Sequence, residues 1–333
     1  MEISFFDVKD KKEESYFKKN LKGHKLRFFN KPIEKVPTRD FKNSEIVVVF
    51  IHSQLSSHII DKLPKLKAIL TQSTGFDHID ISYASKKGIV IGNVPFYGEN
   101  TVAEHTFALI LNLSRKVHKS YVRTIHDNFS IEGLEGFDLK GKTLGIIGVG
   151  HIGLHVIRIA KGFGMHVKAY DINHDTFLSE VLHYEYSSLD EVLKSSDIIT
   201  LHMPLNRNTY HFIDENKLKL TKKGVHIINT ARGPIIDTDA LYKFLKKGHI
   251  AGAGLDVIEG EELISHEDEL LNNPEVHEKL TQIMKDKKIF DMDNVIFTPH
   301  NAFNSEEAIN RIRETTIENI ESFMSNKEIK YKV

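Results

Sequence analysis

A short β-like run, Leu144-Gly-Ile-Ile147, leads straight into Gly148-Val-Gly-His-Ile-Gly153 and then into apolar residues at helical spacing. Few local patterns restrict a fold so tightly. Gly148 permits the sharp turn out of the strand, Gly150 lets the backbone approach a pyrophosphate, and Gly153 lets the helix lie close to the strand. His151 and Ile152 open a helix whose first N–H groups lack intrahelical partners and so attract an anion. Three glycines alone would fit any tight strand-to-helix turn. Asp171 adds to them, because it ends the next strand-like run near the offset of about 20 residues at which a dinucleotide site places its ribose-binding acid. Its carboxylate would accept from both adenosine ribose hydroxyls and repel a 2′-phosphate. No Arg follows in Ile172-Asn-His-Asp175 to receive that phosphate, so NAD is expected over NADP.

The pattern around this loop is α/β throughout. Runs rich in β-branched and aromatic residues at 3–8, 26–29, 46–50, 68–70 and 89–91 alternate with Lys-rich, helix-like stretches, the signature of βαβ units around a parallel sheet. Near Asn93-Val-Pro95 the pattern breaks, and a helix capped by Asn100 or Thr101 is expected over residues 102–122. Strands are expected again at 143–147, 167–170, 198–201, 225–228, 252–255 and 295–298, with a helix from Ile152 and a last one over 305–324. Residues 263–293 are charged and carry no chemical motif, and read as helices covering the edge of the second domain. At 333 residues the chain exceeds what one core usually organises.

Charge and composition exclude several classes. With 45 Lys plus Arg against 46 Asp plus Glu, no overall basic field draws nucleic acid or anionic lipid. The absence of Cys excludes disulfides, thiolate nucleophiles and cysteine metal sites, and no metal site is expected. The start, Met1-Glu-Ile-Ser-Phe-Phe6, lacks the basic segment and longer apolar core of a signal peptide, and no apolar run is long enough to span a bilayer. A cytoplasmic protein with a small-molecule partner is expected.

A dinucleotide fold names no reaction by itself. Reducing a 2-oxo acid with a nicotinamide needs a cation to orient the carboxylate and an acid of near-neutral pKa to protonate the carbonyl oxygen. Arg suits the first task because its planar fork matches a carboxylate and stays charged. His suits the second, above all with a carboxylate against its ring. Candidates stand at the C-terminal ends of second-domain strands, where an open α/β sheet binds ligands: Arg232 after 225–230, Glu261 five residues past Asp256, and His300 after Thr298-Pro299. Each alone has a plainer reading, as a surface arginine, a solvated acidic turn, or one of 19 histidines. Their joint placement on strand exits raises them above it.

Six ordered blocks are then recognisable: Ser73-Thr-Gly-Phe-Asp-His-Ile-Asp80, Asn93-Val-Pro-Phe-Tyr97 with Thr101-Val-Ala-Glu-His105, the glycine loop, Asn229-Thr-Ala-Arg-Gly233, Gly254-Leu-Asp-Val257 and Thr298-Pro-His300. Over nearly its whole length the chain resembles the D-isomer-specific 2-hydroxyacid dehydrogenase family, nearest to the D-lactate dehydrogenases within it. The resemblance implies two Rossmann-like parallel-sheet domains, a flavodoxin-like substrate domain from 1–99 and 301–333 and an NAD-binding domain from 100–300, with an interdomain cleft. It implies Arg232 as the substrate-binding arginine, His300 as proton donor and Glu261 as its paired carboxylate. Amides of Thr74 and Gly75 would also meet the substrate carboxylate. His151 and Ile152 would meet the pyrophosphate, and Met203, Pro204 and Thr209 would line the adenine side. Thr230, Ala231 and Asp256 would place the nicotinamide, with Asp256 accepting from its carboxamide. Tyr97 and Phe303 read as pocket walls or plain core. His52 stands where many D-lactate-type relatives carry an aromatic. The helix containing His105 resembles the segment through which relatives dimerise, so a homodimer is expected, and the D stereochemistry rests on the resemblance alone.

Glyoxylate or hydroxypyruvate reduction stays open as an activity of the same class. A formate dehydrogenase would pair its histidine with an amide where Glu261 stands. A non-catalytic NADH-sensing corepressor-like protein would need a peptide groove that the sequence does not advertise, and the six blocks argue against a methyltransferase-like binder of S-adenosylmethionine.

Overall fold

Four consecutive β-branched residues, Ile46–Val49, offer nothing polar to turn toward water, and they form a strand buried on both faces. Val47 and Val49 pack with Phe6, Ile33 and Phe41 on one side, and Ile46 and Val48 with Phe5, Phe17 and Ile320 on the other. The computed structural model containing it describes residues 1–261, 287–325, 327 and 329–333. The chain divides into two units, Met1–Tyr97 with Ser305–Val333 and Gly98–Asn304.

The first unit holds β1 (Glu2–Phe5), β2 (Lys25–Phe28), β3 (Ile46–Val49), β4 (Ala68–Thr71) and β5 (Val90–Gly92) in one sheet, in the order β2-β1-β3-β4-β5. Every pairing between them is parallel. The helices α1 (Lys11–Asn20), α2 (Ser57–Asp61) and α3 (Ile81–Lys86) connect them, and α11 (Glu306–Met324) returns to bury Ile312 and Ile320 in this unit. Asp10 caps α1 by accepting from the amides of Lys12 and Glu13. Strand order reverses between β1 and β3, where a crevice opens beyond the C-terminal ends of an open parallel sheet.

The second unit has seven parallel strands in the order β12-β11-β10-β9-β6-β7-β8. They are β6 (Thr143–Ile147), β7 (His166–Tyr170), β8 (Glu185–Tyr186), β9 (Ile198–Leu201), β10 (Val225–Asn229), β11 (Ile250–Leu255) and β12 (Val295–Phe297). Strand order reverses between β6 and β9, which puts the glycine loop at the switch point. The helices are α4 (Glu99–Arg115), α5 (Val117–Ile125), α6 (His151–Gly162), α7 (Thr176–Leu182), α8 (Leu189–Ser195), α9 (Glu215–Leu220) and α10 (Thr238–Lys246). Both sheets and their connectivity match the α/β class expected from the sequence, down to the parallel pairing.

Two local expectations are corrected. The helix expected over 102–122 begins at Glu99 and breaks at Lys116, whose φ of 51° is left-handed. Gly133–Phe137 crosses the break: the Phe137 amide donates to Ser114 O at 2.9 Å, and Lys116 Nζ reaches Gly133 O at 2.9 Å. Asn100 and Thr101 lie inside α4 and do not cap it, and Asn100 instead bonds Glu104 and Arg158. The two-residue edge strand β8 was too short to show as a run. Most of the segment 263–293, expected to be helical, lies outside the described residues, as does all of 262–286.

Candidate active site

The glycine loop has the geometry that its residue types demand. Gly148 adopts φ +99°, and a Cβ there would stand 2.6 Å from the His202 carbonyl. A Cβ on Gly153 would stand 2.3 Å from Gly148 O, so the helix can approach the strand only as glycine allows. Gly150, by contrast, faces open space, and as the residue before α6 it brings no side chain to cap the helix. An anion can therefore approach the first turn of α6, which begins at His151 and Ile152. Asp171 follows β7 and is tied to the same loop, with Oδ2 accepting from Val149 N at 2.6 Å and Oδ1 from Asn173 N at 2.8 Å. On the other side of the switch point, Met203 packs against the apolar core after β9. The Thr209 hydroxyl donates to Pro204 O at 2.6 Å and closes the loop they share. These residues fit a dinucleotide.

Three neighbouring strands then deliver the polar candidates. Asn229, Leu255 and Phe297 are register partners across β10, β11 and β12, so the residues that follow them leave the sheet side by side. After β10, Asn229 Oδ1 accepts from Ala231 N at 3.0 Å and its Nδ2 donates to Arg232 O at 2.9 Å, which folds Thr230-Ala-Arg232 into a tight exit. Arg232 Nη1 donates to Ala231 O at 2.8 Å. After β11 comes Asp256, and beyond it the turn in which Glu261 Oε2 accepts from Ile258 N at 3.1 Å. After β12 comes His300, whose Nδ1 lies 2.6 Å from Glu261 Oε1. A carboxylate only accepts, so Nδ1 carries a proton and Nε2 is the nitrogen left for other chemistry. Such a pair orients the imidazole.

Asp256 organises the loop that joins these strand exits. Its carboxylate is fully buried and accepts from Thr298 Oγ1 at 2.5 Å and from the amides of Asn301 and Ala302 at 3.0 and 2.9 Å. The His300 amide also donates to Asp256 O at 2.8 Å. Asp256 thus holds the loop that carries His300. Beside it, Asn301 Oδ1 is a buried acceptor with no donor among the described residues. Phe303 and Thr230 are both nearly closed to solvent.

In the first unit, the Thr74 hydroxyl donates to Val94 O at 3.1 Å, and Ser73 Oγ donates to Gly75 O at 2.7 Å, which fixes the turn after β4. Tyr97 is buried and its carbonyl accepts from Arg311 Nε at 2.8 Å, the behaviour of a core residue. His52 is exposed and packs edge-on to Phe50, with centroids 5.9 Å apart. Asp7, which drew no attention in the sequence, stands at the β1/β3 switch point in a left-handed conformation, φ 58°. It accepts from Ser53 Oγ at 2.6 Å and Phe50 N at 3.3 Å, and burial pushes its carboxyl up to about 6. Among the described residues no cluster of His, Asp and Glu is arranged to hold a metal, and no helix is long and apolar enough to cross a membrane.

The profile of the D-isomer specific 2-hydroxyacid dehydrogenase NAD binding domain matches residues 107–302. A D-lactate dehydrogenase from Escherichia coli is 35% identical over 303 residues, 90% of this chain and 89% of that one. An aromatic 2-oxoacid reductase from Clostridium sporogenes is 42% identical over 262 residues, 78% of this chain and 76% of that one. Among solved structures, the D-lactate dehydrogenase of Aquifex aeolicus, complexed with NAD and lactic acid, superimposes with a TM-score of 0.89 at 38% identity, covering 97% of this chain and 96% of that one.

Proposed function

Since the chain belongs to the D-isomer-specific 2-hydroxyacid dehydrogenase family, an NAD(H)-binding oxidoreductase family acting on small 2-hydroxy and 2-oxo acids, we propose that it is a D-lactate dehydrogenase reducing pyruvate with NADH. The observation that carries the proposal is the His300–Glu261 pair, 2.6 Å apart, on the strand exits beside that of Arg232. When bound, the dihydronicotinamide supplies the hydride. The chain's own residues do the rest. Arg232 holds the substrate carboxylate. His300, protonated and paired with Glu261, gives the Nε2 proton to the carbonyl oxygen as the C–H bond forms at C2. The products are the 2-hydroxy acid and NAD, and the imidazole is left neutral until water reprotonates it.

Asp171 supports NAD over NADP, because its carboxylate beside the glycine loop would repel a 2′-phosphate. A homodimer is the proposed assembly. Its support is an exposed apolar face on α5 and the segment after it, where Tyr121, Ile125, Phe129 and Ile131 are 65%, 56%, 77% and 84% exposed.

The likeness to an aromatic 2-oxoacid reductase favours a second reading within the class, a larger side chain on the substrate. NADH oxidation by the purified protein, measured with pyruvate, 2-oxobutyrate, phenylpyruvate, glyoxylate and hydroxypyruvate and with product chirality assigned, tests both. Pyruvate turned over fastest, to D-lactate, bears out the proposal. Phenylpyruvate as the best substrate moves it to the aromatic acids, and an L product rejects it.

A further inference from the structure

The loops carrying His300 and Arg232 are 68 positions apart in sequence, yet two consecutive residues of one helix touch both of them. Helix α4 lies close over β11 because that strand carries glycine where they meet. A Cβ on Gly254 would come within 3.0 Å of Leu109 Cβ and 3.4 Å of Leu113 Cδ1. One turn earlier on the helix, His105 Nε2 stands 2.9 Å from Thr298 Oγ1 and 3.4 Å from Asp256 Oδ1. The adjacent Thr106 has its Oγ1 3.0 Å from Thr230 Oγ1.

The proton directions follow from what each partner can do. The Thr298 hydroxyl is 2.5 Å from a carboxylate oxygen of Asp256, which can only accept, so Thr298 spends its single proton there. His105 Nε2 is therefore the donor to Thr298 Oγ1. Thr106 likewise spends its proton on Val102 O at 2.8 Å, so Thr230 donates to Thr106. The chain His105 to Thr298 to Asp256 ends on the amides of Asn301 and Ala302, directly after His300. His300 itself sits at φ 48°, a conformation that a residue with a Cβ keeps only where its surroundings over-determine it.

We infer that His105 and Thr106 are positioning residues that brace, from one turn of α4, the His300 loop and the Arg232 loop respectively. His105 sets the aim of the proton donor at Glu261 and the carbonyl oxygen, and Thr106 sets the aim of the carboxylate-binding arginine. Neither touches the reacting atoms. The inference rests on the dehydrogenase reading for its kinetic consequence, though the brace itself does not.

The two positions should leave different signatures in the full-length protein. His105→Phe keeps the bulk and loses the donor, and is expected to lower kcat by about tenfold or more, since small misplacements of a catalytic group cost that much. Its NADH affinity, read by fluorescence, should stay within about twofold of the parent, because the glycine loop is untouched. The downfield Nδ1–H NMR signal of the His300–Glu261 bond, identified by its loss in His300→Gln, should move upfield as the Glu261 contact loosens. His105→Gln, whose side-chain amide reaches the same acceptor, should restore most of the rate and the position of that signal. Thr298→Val removes that acceptor without altering the helix and should reproduce the kcat loss. Thr106→Val should raise KM for the 2-oxo acid about tenfold with a smaller change in kcat. Parental kcat in both His105→Phe and Thr298→Val overturns the inference. So does equal impairment of His105→Phe and His105→Gln with weakened NADH binding, which would mark a packing role only. Should the parent reduce no 2-oxo acid, the dehydrogenase reading fails by itself. The Nδ1–H signal of His300 then still decides the brace, and a signal unmoved by His105→Phe rejects it.

Discussion

His300 holds a left-handed backbone and a 2.6 Å bond to Glu261, and the proposed mechanism asks its other ring nitrogen to hand over a proton. Replacing it by Gln should leave NADH binding intact and lower kcat on the order of a thousandfold, the usual worth of a general acid. Weak NADH binding by folded His300→Gln would contradict this division of labour. Asp171→Ala should relax the preference for NADH over NADPH on the order of tenfold, the size of a lost hydrogen bond to a charged group. An unchanged ratio of kcat/KM for the two cofactors would remove Asp171 from the ribose site. Asp7 has a folded pKa of about 6 against an ordinary value of 3.8, so between those values the native state binds a proton that the unfolded chain has released. Stability therefore falls as pH rises through that window, and the penalty is complete above it. Asn keeps both acceptor contacts and tolerates the left-handed backbone. Asp7→Asn should raise stability at pH 7.5 by about 1–3 kcal/mol and do little near pH 4, as read by urea unfolding at the two pH values. Equal effects at both would show that the carboxyl is not the cause.

At the scale of elements, the glycine loop shows how three residues without side chains set one strand, one turn and one helix. Gly153→Ala places a methyl 2.3 Å from Gly148 O, and neither backbone segment can yield without moving the other. A cost of about 1–3 kcal/mol is expected, with NADH affinity falling more than overall stability would explain. Thermal unfolding and NADH titration of the same variant check it; unchanged affinity would separate the turn from cofactor binding. The strand runs and the loop were readable because their signals are local. The break in the 102–122 helix was not, because Lys116 turns left-handed where a segment from 133–137 takes over the Ser114 carbonyl. Nothing in the residues around Lys116 announces that competitor.

On the scale of the whole molecule, two parallel sheets share one chain, and α11 returns after the second unit to complete the first. Apolar surface on α5 and around Phe129 and Ile131 is unpartnered among the described residues of the chain. Phe129→Glu with Ile131→Glu should convert a dimer into a species of 38.1 kDa in light scattering after gel filtration. A parent already at that mass would leave the dimer without support.

The sequence by itself determined the α/β class and the glycine loop with Asp171, and it put Arg232, Glu261 and His300 after second-unit strands. These depend on spacing along the chain, which periodicity and turn chemistry reveal. Only the tertiary structure decided that Asp256 holds the loop carrying His300 and that His105 reaches Thr298 across 193 positions. Hydrogen bonds between distant segments have no period. They exist because sheet register and the close approach of α4 over Gly254 bring the partners to one edge.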